Sequence, residues 1–367
     1  MVLAIYRKYR PSTFTDVIGQ GAIVGILKEA ARQGKLAHAY LFSGPRGTGK
    51  TTTARLIAKI ANCEKRAVDD AFRAHGEPCN ACPTCLAIDE GRNMDVVEID
   101  AASNRGIDEI RNLKENIRMA PVSSLAKVFI IDEVHQLTKE AFNALLKTLE
   151  EPPAYAVFVL ATTEPDRIPA TILSRTQQFH FRHVSLKHIV EKLTRIAKEE
   201  NITISAEALD LIASAAEGSF RDAESLLDQL VAFNDKNVTV EGVESMLGNV
   251  GFDRLSAFAG YLFAGNIEHA LTALSEIEDG GYNLVQFTKD LIQYLRRAVV
   301  IHHNPTMASF LRHELMEEHV RQLEAHAQLV TGAHLVLLKA LIRSYGEMRY
   351  SQFPIIPLEI ALIETVK

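Results

Sequence analysis

Residues 44–51 read Gly-Pro-Arg-Gly-Thr-Gly-Lys-Thr, which fits G-x-x-x-x-G-K-[ST]. Three glycines in eight residues let backbone N–H groups close around an anion. The lysine can reach terminal phosphates, and the Thr51 hydroxyl can ligate Mg²⁺. The segments around the loop are those the motif requires. Residues 39–43 are short and apolar. Ala54, Ile57, Ala58 and Ala61 recur at helical spacing after it. The phosphate cradle therefore spans Gly44, Pro45, Arg46, Gly47, Thr48, Gly49, Lys50, Thr51 and Thr52, with a nucleoside triphosphate such as ATP as the expected occupant and a helix N-terminus adding its positive end.

Three downstream segments carry matching chemistry. "KVFIIDEVHQL" reads as a buried strand that ends in Asp132 and Glu133. Asp132 is placed to hold Mg²⁺ through water, and Glu133 to orient and polarise an attacking water. "AVFVLATT" ends in Thr162 and Thr163, either of which can report a terminal phosphate, although threonine is also common at strand ends. "PATILSRTQQF" presents Arg175 on a short helix. An arginine there can stabilise a transferring phosphoryl group in cis or in trans, or simply face solvent.

All four cysteines, Cys63, Cys79, Cys82 and Cys85, fall within 23 residues. A cytosolic chain with clustered cysteines points to metal before disulfide. Four thiolates make a closed tetrahedral set, which suits structural Zn²⁺, with an iron–sulfur cluster as the second reading. His75 is a possible substitute ligand. The long gap between the first two cysteines predicts a flexible loop at about 66–77. Nothing in this cluster supplies a base or an open ligand position, so no catalysis is assigned to it.

These groups need elements to hold them. Residues 1–180 alternate strand and helix, which predicts a parallel sheet covered on both faces. Phe142, Leu145, Leu146 and Leu149 form one core stripe on a helix that Pro152-Pro153 stops. Residues 181–244 read as a small helical lid and 245–367 as helix throughout, with "QFTKDLIQYLRRAVVIHH" and "LVLLKALIRSYGEMRYS" as long amphipathic stretches. The 367 residues are 47% hydrophobic and 23% charged, an ordinary globular balance. No apolar run is long enough to span a bilayer, and "MVLAIYRKYRP" lacks a signal-peptide pattern, so a cytoplasmic chain with no membrane partner is expected. The net charge of −6 is uneven, because residues 1–60 hold ten Lys/Arg against Asp16 and Glu29. That basic end suits polyphosphate or a DNA backbone, and it also reads as a solvated basic face.

"YRKYRPSTFTDVIGQ", "HAYLFSGPRGTGKTTTARLIAK", "EIDAASNRGIDEIR", "FIIDEVHQLTKEAFNALLKTLEEPP", "ATTEPDRIPATILSR" and "EGSFRDAESLLDQ" occur in that order. Together they resemble the gamma/tau subunit of bacterial DNA polymerase III, the AAA+ ATPase of the clamp loader. The resemblance is specific to about residue 250 and collinear to residue 367. It implies an α/β AAA+ P-loop domain with a parallel sheet and a small helical lid, then an all-α collar where loader subunits join.

The resemblance also assigns roles. Lys50 and Thr51 match Walker A, and Asp132 and Glu133 match Walker B. Thr163 matches sensor 1, with Thr162 as the neighbouring alternative. Arg175 matches the finger that reaches a neighbouring subunit's ATP, although Thr176 stands where the family usually has cysteine. Arg221 matches the sensor-2 arginine. Tyr9, Arg10, Val17 and Ile18 match the adenine-side strap. Ser103, Asn104 and Arg105 match a segment that tracks DNA backbone, and they read equally well as a helix N-cap. The family carries a zinc module after the P-loop helix, where the cysteines lie here.

The implied partners are delta, delta prime and further gamma/tau copies in a hetero-pentamer, the sliding clamp and primer–template DNA. The implied setting is the nucleoid-associated cytoplasm. The extensions of the tau form are expected to be absent, since no linker or tail follows Lys367. Two other readings stand beside this one. One is a different AAA+ DNA motor or helicase loader, against which the cysteine module and the helical last third argue. The other is a non-catalytic scaffold like delta prime, against which the intact loop and the Asp132-Glu133 pair argue.

Overall fold

The computed structural model describes residues 4–103, 115–233, 236–248, 250–311 and 317–366. Two compact units divide the chain, Met1–Val238 and Thr239–Lys367. In the first, β1 (Ala39–Ser43), β2 (Val96–Asp100), β3 (Lys127–Asp132), β4 (Ala156–Thr162) and β5 (Gln177–His180) form one sheet in the order β2-β3-β4-β1-β5. Every pairing is parallel. The three inner strands are almost wholly buried, as near-continuous apolar runs require when both faces are covered. The edge strands β2 and β5 are only partly so.

Alternation along each strand sends side chains to two cores. Tyr40, Phe42, Val128, Ile130, Val159 and Ala161 point to one face and meet Leu27 of helix Gly21–Arg32 and Ile57 of helix Lys50–Asn62. Leu41, Phe129, Ile131, Phe158 and Leu160 point to the other. There helix Lys139–Glu150 supplies Phe142, Leu145 and Leu149, with Leu146 packed at the margin. The Thr138 hydroxyl caps that helix by accepting the Ala141 N–H at 3.3 Å. Three helices, Leu186–Glu200, Ala206–Ala215 and Phe220–Phe233, follow the sheet, with a two-stranded parallel ribbon of β6 (Thr203–Ile204) and β7 (Asn237–Val238).

The second unit is helical throughout its described residues. Its core gathers Phe258, Phe287, Leu291, Leu323, Leu341 and Leu358 from successive helices. The helices Leu284–His303 and Gly332–Met348 account for the two long amphipathic stretches of the sequence. One buried polar cluster runs from Ser256 Oγ through Tyr294 Oη, 2.9 Å away, to His326 Nδ1 at 2.8 Å. Among the described residues, no single helix is long and apolar enough to cross a membrane.

The approach to β3 depends on one buried carboxylate. Asp95 is fully buried and accepts N–H donors from Val122, Ser123 and Ser124 at 2.8–2.9 Å. Burial pushes its carboxyl up, but the backbone donors outweigh that and hold it below the usual range. A depressed folded-state value means stability that is present above the unfolded value and is lost as pH falls through the folded one. Asp95→Asn should therefore cost about 1–3 kcal/mol at neutral pH. Urea titrations of the two proteins should converge as pH drops below about 4. An undiminished gap in acid would contradict this account.

Candidate functional site

The carboxyl ends of β1, β3 and β4 converge on the loop after β1, the place where parallel α/β sheets bind ligands. Gly44, Gly47 and Gly49 have φ of +134°, +72° and +101°. At two of them space matters as much as torsion. A Cβ on Gly44 would lie 2.2 Å from the Phe181 carbonyl oxygen, and one on Gly47 would lie 1.9 Å from Ser219 Oγ. The loop is thus threaded between β5's exit and the start of helix Phe220–Phe233. The Phe220 N–H donates to the Gly47 carbonyl at 3.2 Å.

Lys50 is 6% exposed, and its Nζ donates to the Gly44 and Pro45 carbonyls at 2.7 Å each. Burial lowers its pKa, and the nearby carboxylates of Glu133 and Asp132 work against that. Thr48 Oγ1 closes the loop onto the Pro45 carbonyl at 2.8 Å. Thr51 Oγ1 donates to Asp132 Oδ2 at 2.8 Å, so the two expected Mg²⁺ ligands already touch. Arg46 is exposed, and Thr52 lies in the first turn of the loop helix.

Glu133 adopts φ +48°, a left-handed conformation that side chains other than glycine rarely take. Its carboxylate accepts from the Thr163 N–H at 3.2 Å and the Thr163 hydroxyl at 2.9 Å. Thr162 plays a different part. It is fully buried, pairs through Oγ1 with His135 Nδ1 at 2.9 Å and accepts the Glu164 N–H at 3.0 Å. The two threonines that the sequence leaves as alternatives are thus separated: only Thr163 contacts Glu133.

A cleft of about 1220 Å³ opens over this loop. Its walls include Arg10, Val17, Ile18, Asp132, Glu133 and Arg221, together with the loop itself. The Arg221 guanidinium stands 5.4 Å from the centre of the Tyr6 ring, which also lines the cleft. Tyr9 does not line it. Its hydroxyl donates to Glu200 at 2.8 Å, so it joins the strap to the lid from outside. Sequence reasoning missed Tyr6, Arg55, Lys192 and Glu224, which face the same cleft. Arg55 is held by both Glu98 oxygens, at 2.5 and 2.6 Å, and Lys192 pairs with buried Glu224 at 2.6 Å. Burial raises the Glu224 carboxyl and Lys192 opposes this. Tyr6, Arg55 and Glu224 fall inside the segments that carry the resemblance but received no role there, and Lys192 lies outside them. Only a three-dimensional arrangement brings them together.

Arg175 lies elsewhere. Its guanidinium pairs with Glu150 at 2.6 Å and donates to the Thr171 carbonyl at 2.8 Å. It does not line the cleft over the loop. Ser103 is exposed and donates to Asp100 at 3.0 Å, while Asn104 and Arg105 lie outside the described residues.

The four cysteine sulfurs lie within 4.8 Å of one another. A metal bound tetrahedrally at about 2.3 Å holds its sulfurs about 3.8 Å apart, and Cys79 and Cys85 are 3.9 Å apart. Backbone N–H groups of Ala81 and Cys82 point at the Cys79 sulfur, at 3.4 and 3.2 Å, and hold that thiol down at about 7 against the effect of burial. Burial raises the Cys85 and Cys63 thiols. The donor set fits a structural metal. His75 is not in the cluster and lies beside the Phe72 ring instead, tilted by 57° with centroids 5.9 Å apart. The loop expected to be flexible is folded: Glu64–Val68 and Asp70–Arg73 are short helices. Buried Arg66 explains this, since it binds the carbonyls of Ala31, Arg73 and Glu77.

The sheet order and the loop–helix junction define an AAA+-like α/β domain followed by an all-helical unit. Three family models match nearly the whole chain in succession. They describe the DNA polymerase III delta subunit (residues 19–185), the ATPase lid domain of the DNA polymerase III clamp loader subunit (188–236) and domain III of DNA polymerase III subunits gamma and tau (238–367). The chain is 42% identical over 361 residues to the tau subunit of Bacillus subtilis, covering 98% of this chain and 62% of that protein. It is 41% identical over 299 residues to Escherichia coli tau, covering 82% and 45%. Against gamma/tau of Mycobacterium bovis it is 36% identical, covering 98% and 61%. The chain belongs to the gamma/tau subunit family of the bacterial DNA polymerase III clamp loader. It spans 62% or less of the length of these relatives. Among solved structures, it is similar to a Thermotoga maritima RuvB branch-migration motor (19% identity, TM-score 0.46, 69% of this chain and 79% of that one) and to the Bacillus subtilis clamp loader delta protein (14%, 0.37, 93% and 99%). Both likenesses are too remote to bear on function.

The Gly47–Ser219 contact can be tested alone. Gly47→Ala should destabilise the first unit by about 1–3 kcal/mol, from the positive φ and the clash together. Ser219→Gly costs only a few tenths as a cap change and should recover part of the loss in the double variant. Simple additivity in urea titrations would show that the two residues do not meet.

Proposed function

We propose that this chain is an ATP-hydrolysing subunit of a clamp loader, which opens a sliding clamp, places it on primed DNA and releases it on hydrolysis. The observation that carries this reading is the joined set Lys50, Thr51, Asp132, Glu133 and Thr163 at one end of the sheet, under a cleft that also takes Arg221 from the lid. In this reading Lys50 leaves the Gly44 and Pro45 carbonyls for the β- and γ-phosphates. Thr51 and Asp132 are the residues that would hold Mg²⁺, whose charge offsets that of the phosphate oxygens. Glu133 orients the attacking water once it is released from Thr163, which then reports the terminal phosphate. Arg221 holds the phosphates from the lid side, and Arg10, Val17 and Ile18 flank the base.

Arg175 acts in trans in the same reading. Its position away from its own cleft supports this, as does its half-buried setting beside Glu150. The helical second unit serves as the collar, and the partners are delta, delta prime and other gamma/tau copies, the clamp and primer–template DNA. The four cysteines hold one Zn²⁺, which supplies structure and no chemistry.

Three outcomes follow. Lys50→Ala should weaken ATP binding by about two orders of magnitude or more while leaving the fold intact, since a charged partner of the phosphates is lost. A nucleotide titration near the wild-type value would sink the assignment. Metal analysis of protein purified without chelator should find one zinc per chain, lost in Cys82→Ser, whereas iron with sulfide would select the other reading. Arg175→Ala should leave ATP affinity of the isolated chain unchanged and cut hydrolysis in the assembled loader by about 10³–10⁵. Loaders mixed from Arg175→Ala and Glu133→Gln subunits should stay active only where a normal finger meets a normal Glu133. Loss of ATP binding by isolated Arg175→Ala would place the arginine in cis instead.

A further inference from the structure

The residues between the first and second cysteines make a connection that the cysteine chemistry does not require. Glu77, two residues before Cys79, reaches across to the N-terminal strap. One carboxylate oxygen accepts the Phe14 N–H at 2.7 Å, and the other accepts the Thr15 N–H at 3.1 Å and the Thr15 hydroxyl at 2.8 Å. Lys28 completes the knot, 2.7 Å from the Glu77 carboxylate and 2.9 Å from the Thr15 hydroxyl. Glu77 is only 15% exposed in its side chain, and its bond to the Phe14 N–H is part-buried, while those to Thr15 lie at the surface. Arg66, three residues after Cys63, grips the Ala31 carbonyl at 2.7 Å at the end of helix Gly21–Arg32. Gly76 lies so close to that helix that a Cβ would stand 2.6 Å from the Lys28 carbonyl oxygen.

The strap held in this way is a wall of the cleft. Phe14 is fully buried in the sheet core and fixes its own end. The Val17 N–H then donates to the Phe14 carbonyl at 3.1 Å, and Asp16, Val17 and Ile18 line the cleft. Val17 also faces the phosphate loop, with its Cγ1 3.9 Å from where a Gly49 side chain would begin. A displacement of the peptide at Phe14–Thr15 therefore passes to the residues beside the ligand within one turn of chain.

We propose that Glu77 is a positioning residue that couples the cysteine module to the base-side wall of the cleft, so that the four thiolates, when closed on a metal, hold that wall in place for the nucleoside. The proposal rests on the reading of the cleft as the nucleotide site. Among the described hydrogen bonds, none joins residues 63–85 to the loop or to the Asp132-Glu133 pair, although helix Pro83–Asp89 packs on the loop helix Lys50–Asn62. The module's effect should accordingly fall on the nucleoside half of the ligand and spare the phosphates.

Two ligands separate these halves: ATP, and inorganic tripolyphosphate, which has no base for the strap to meet. Their affinities are measured by calorimetry on the full chain, with metal content determined on the same samples. Glu77→Gln should lose about fivefold or more in ATP affinity, the usual lower range of coupling between sites. Its tripolyphosphate affinity should stay within about twofold and its metal should be retained, since the thiolates are untouched. Cys82→Ser should show the same asymmetry, and adding Glu77→Gln to it should cost little more, because both act through one connection. Thr15→Ala, at an exposed position, should lose ATP affinity by a smaller factor in the same direction, which keeps the test open if Glu77→Gln folds poorly. Wild-type ATP affinity in Glu77→Gln and Thr15→Ala, or equal losses for the two ligands, overturns the coupling. A wild-type chain that binds neither ligand overturns the reading of the cleft itself.

Discussion

A buried ammonium group organises the carboxyl end of this sheet. Lys50 is removed from water at the first turn of a helix, where burial lowers its pKa, the Glu133 and Asp132 carboxylates oppose that, and two loop carbonyls accept from its Nζ. That arrangement dictates the loop around it. The loop bends back around the ammonium with Gly44, Gly47 and Gly49 at positive φ, which glycine adopts without steric cost. It also dictates the neighbours. Asp132 must end its strand at the level of the loop, which the parallel pairing of β3 with β4 and β4 with β1 secures. The apolar strands are therefore the supports that bring one cation and two anions to the same height.

Around this centre the polar contacts form two sets with different tasks. Thr51–Asp132 and Lys50 with its carbonyls are tight, part-buried contacts that link the loop to the sheet. Glu133 is bound to Thr163 on the next strand, and His135 behind it binds Thr162. The second set joins strands β3 and β4 at the point where a terminal phosphate would act in the proposed cycle. The lid reaches the same place through the Ser219 side chain and the Phe220 N–H against Gly47. The strap reaches it through Val17 and is tied from behind by Glu77. Three parts of the first unit thus meet at one loop.

Much of this was legible in the sequence for physical reasons. Parallel strands buried on both faces have to be continuous apolar runs, so β1, β3 and β4 could be read directly. The loop could be read from its glycine spacing, and Asp132-Glu133 from their place at the end of an apolar strand. The four cysteines were legible because thiolates cluster in sequence when a metal gathers them. What escaped was long-range and side-chain specific. Tyr6 and Tyr9 look equivalent in "YRKYRP", yet a short helix turns one to the cleft and the other to Glu200. The segment at 66–77 reads as a loop because its length is unusual and its composition polar. Its order comes from one buried arginine and one shielded glutamate whose partners lie 35 and 63 residues away in the chain. Lys192 and Glu224 sit on separate lid helices and carry no shared pattern.

The central claim is that this sheet end binds one nucleoside triphosphate through Lys50, with Thr51 and Asp132 supplying the metal side. The direct measurement is a titration of the full chain with ATP, with and without magnesium, reading stoichiometry and affinity together. The account predicts one ATP per chain and tighter binding with magnesium, because the ion offsets the phosphate charge that Asp132 and Glu133 would otherwise repel. Absence of binding, or saturable binding that magnesium leaves unchanged, would contradict it.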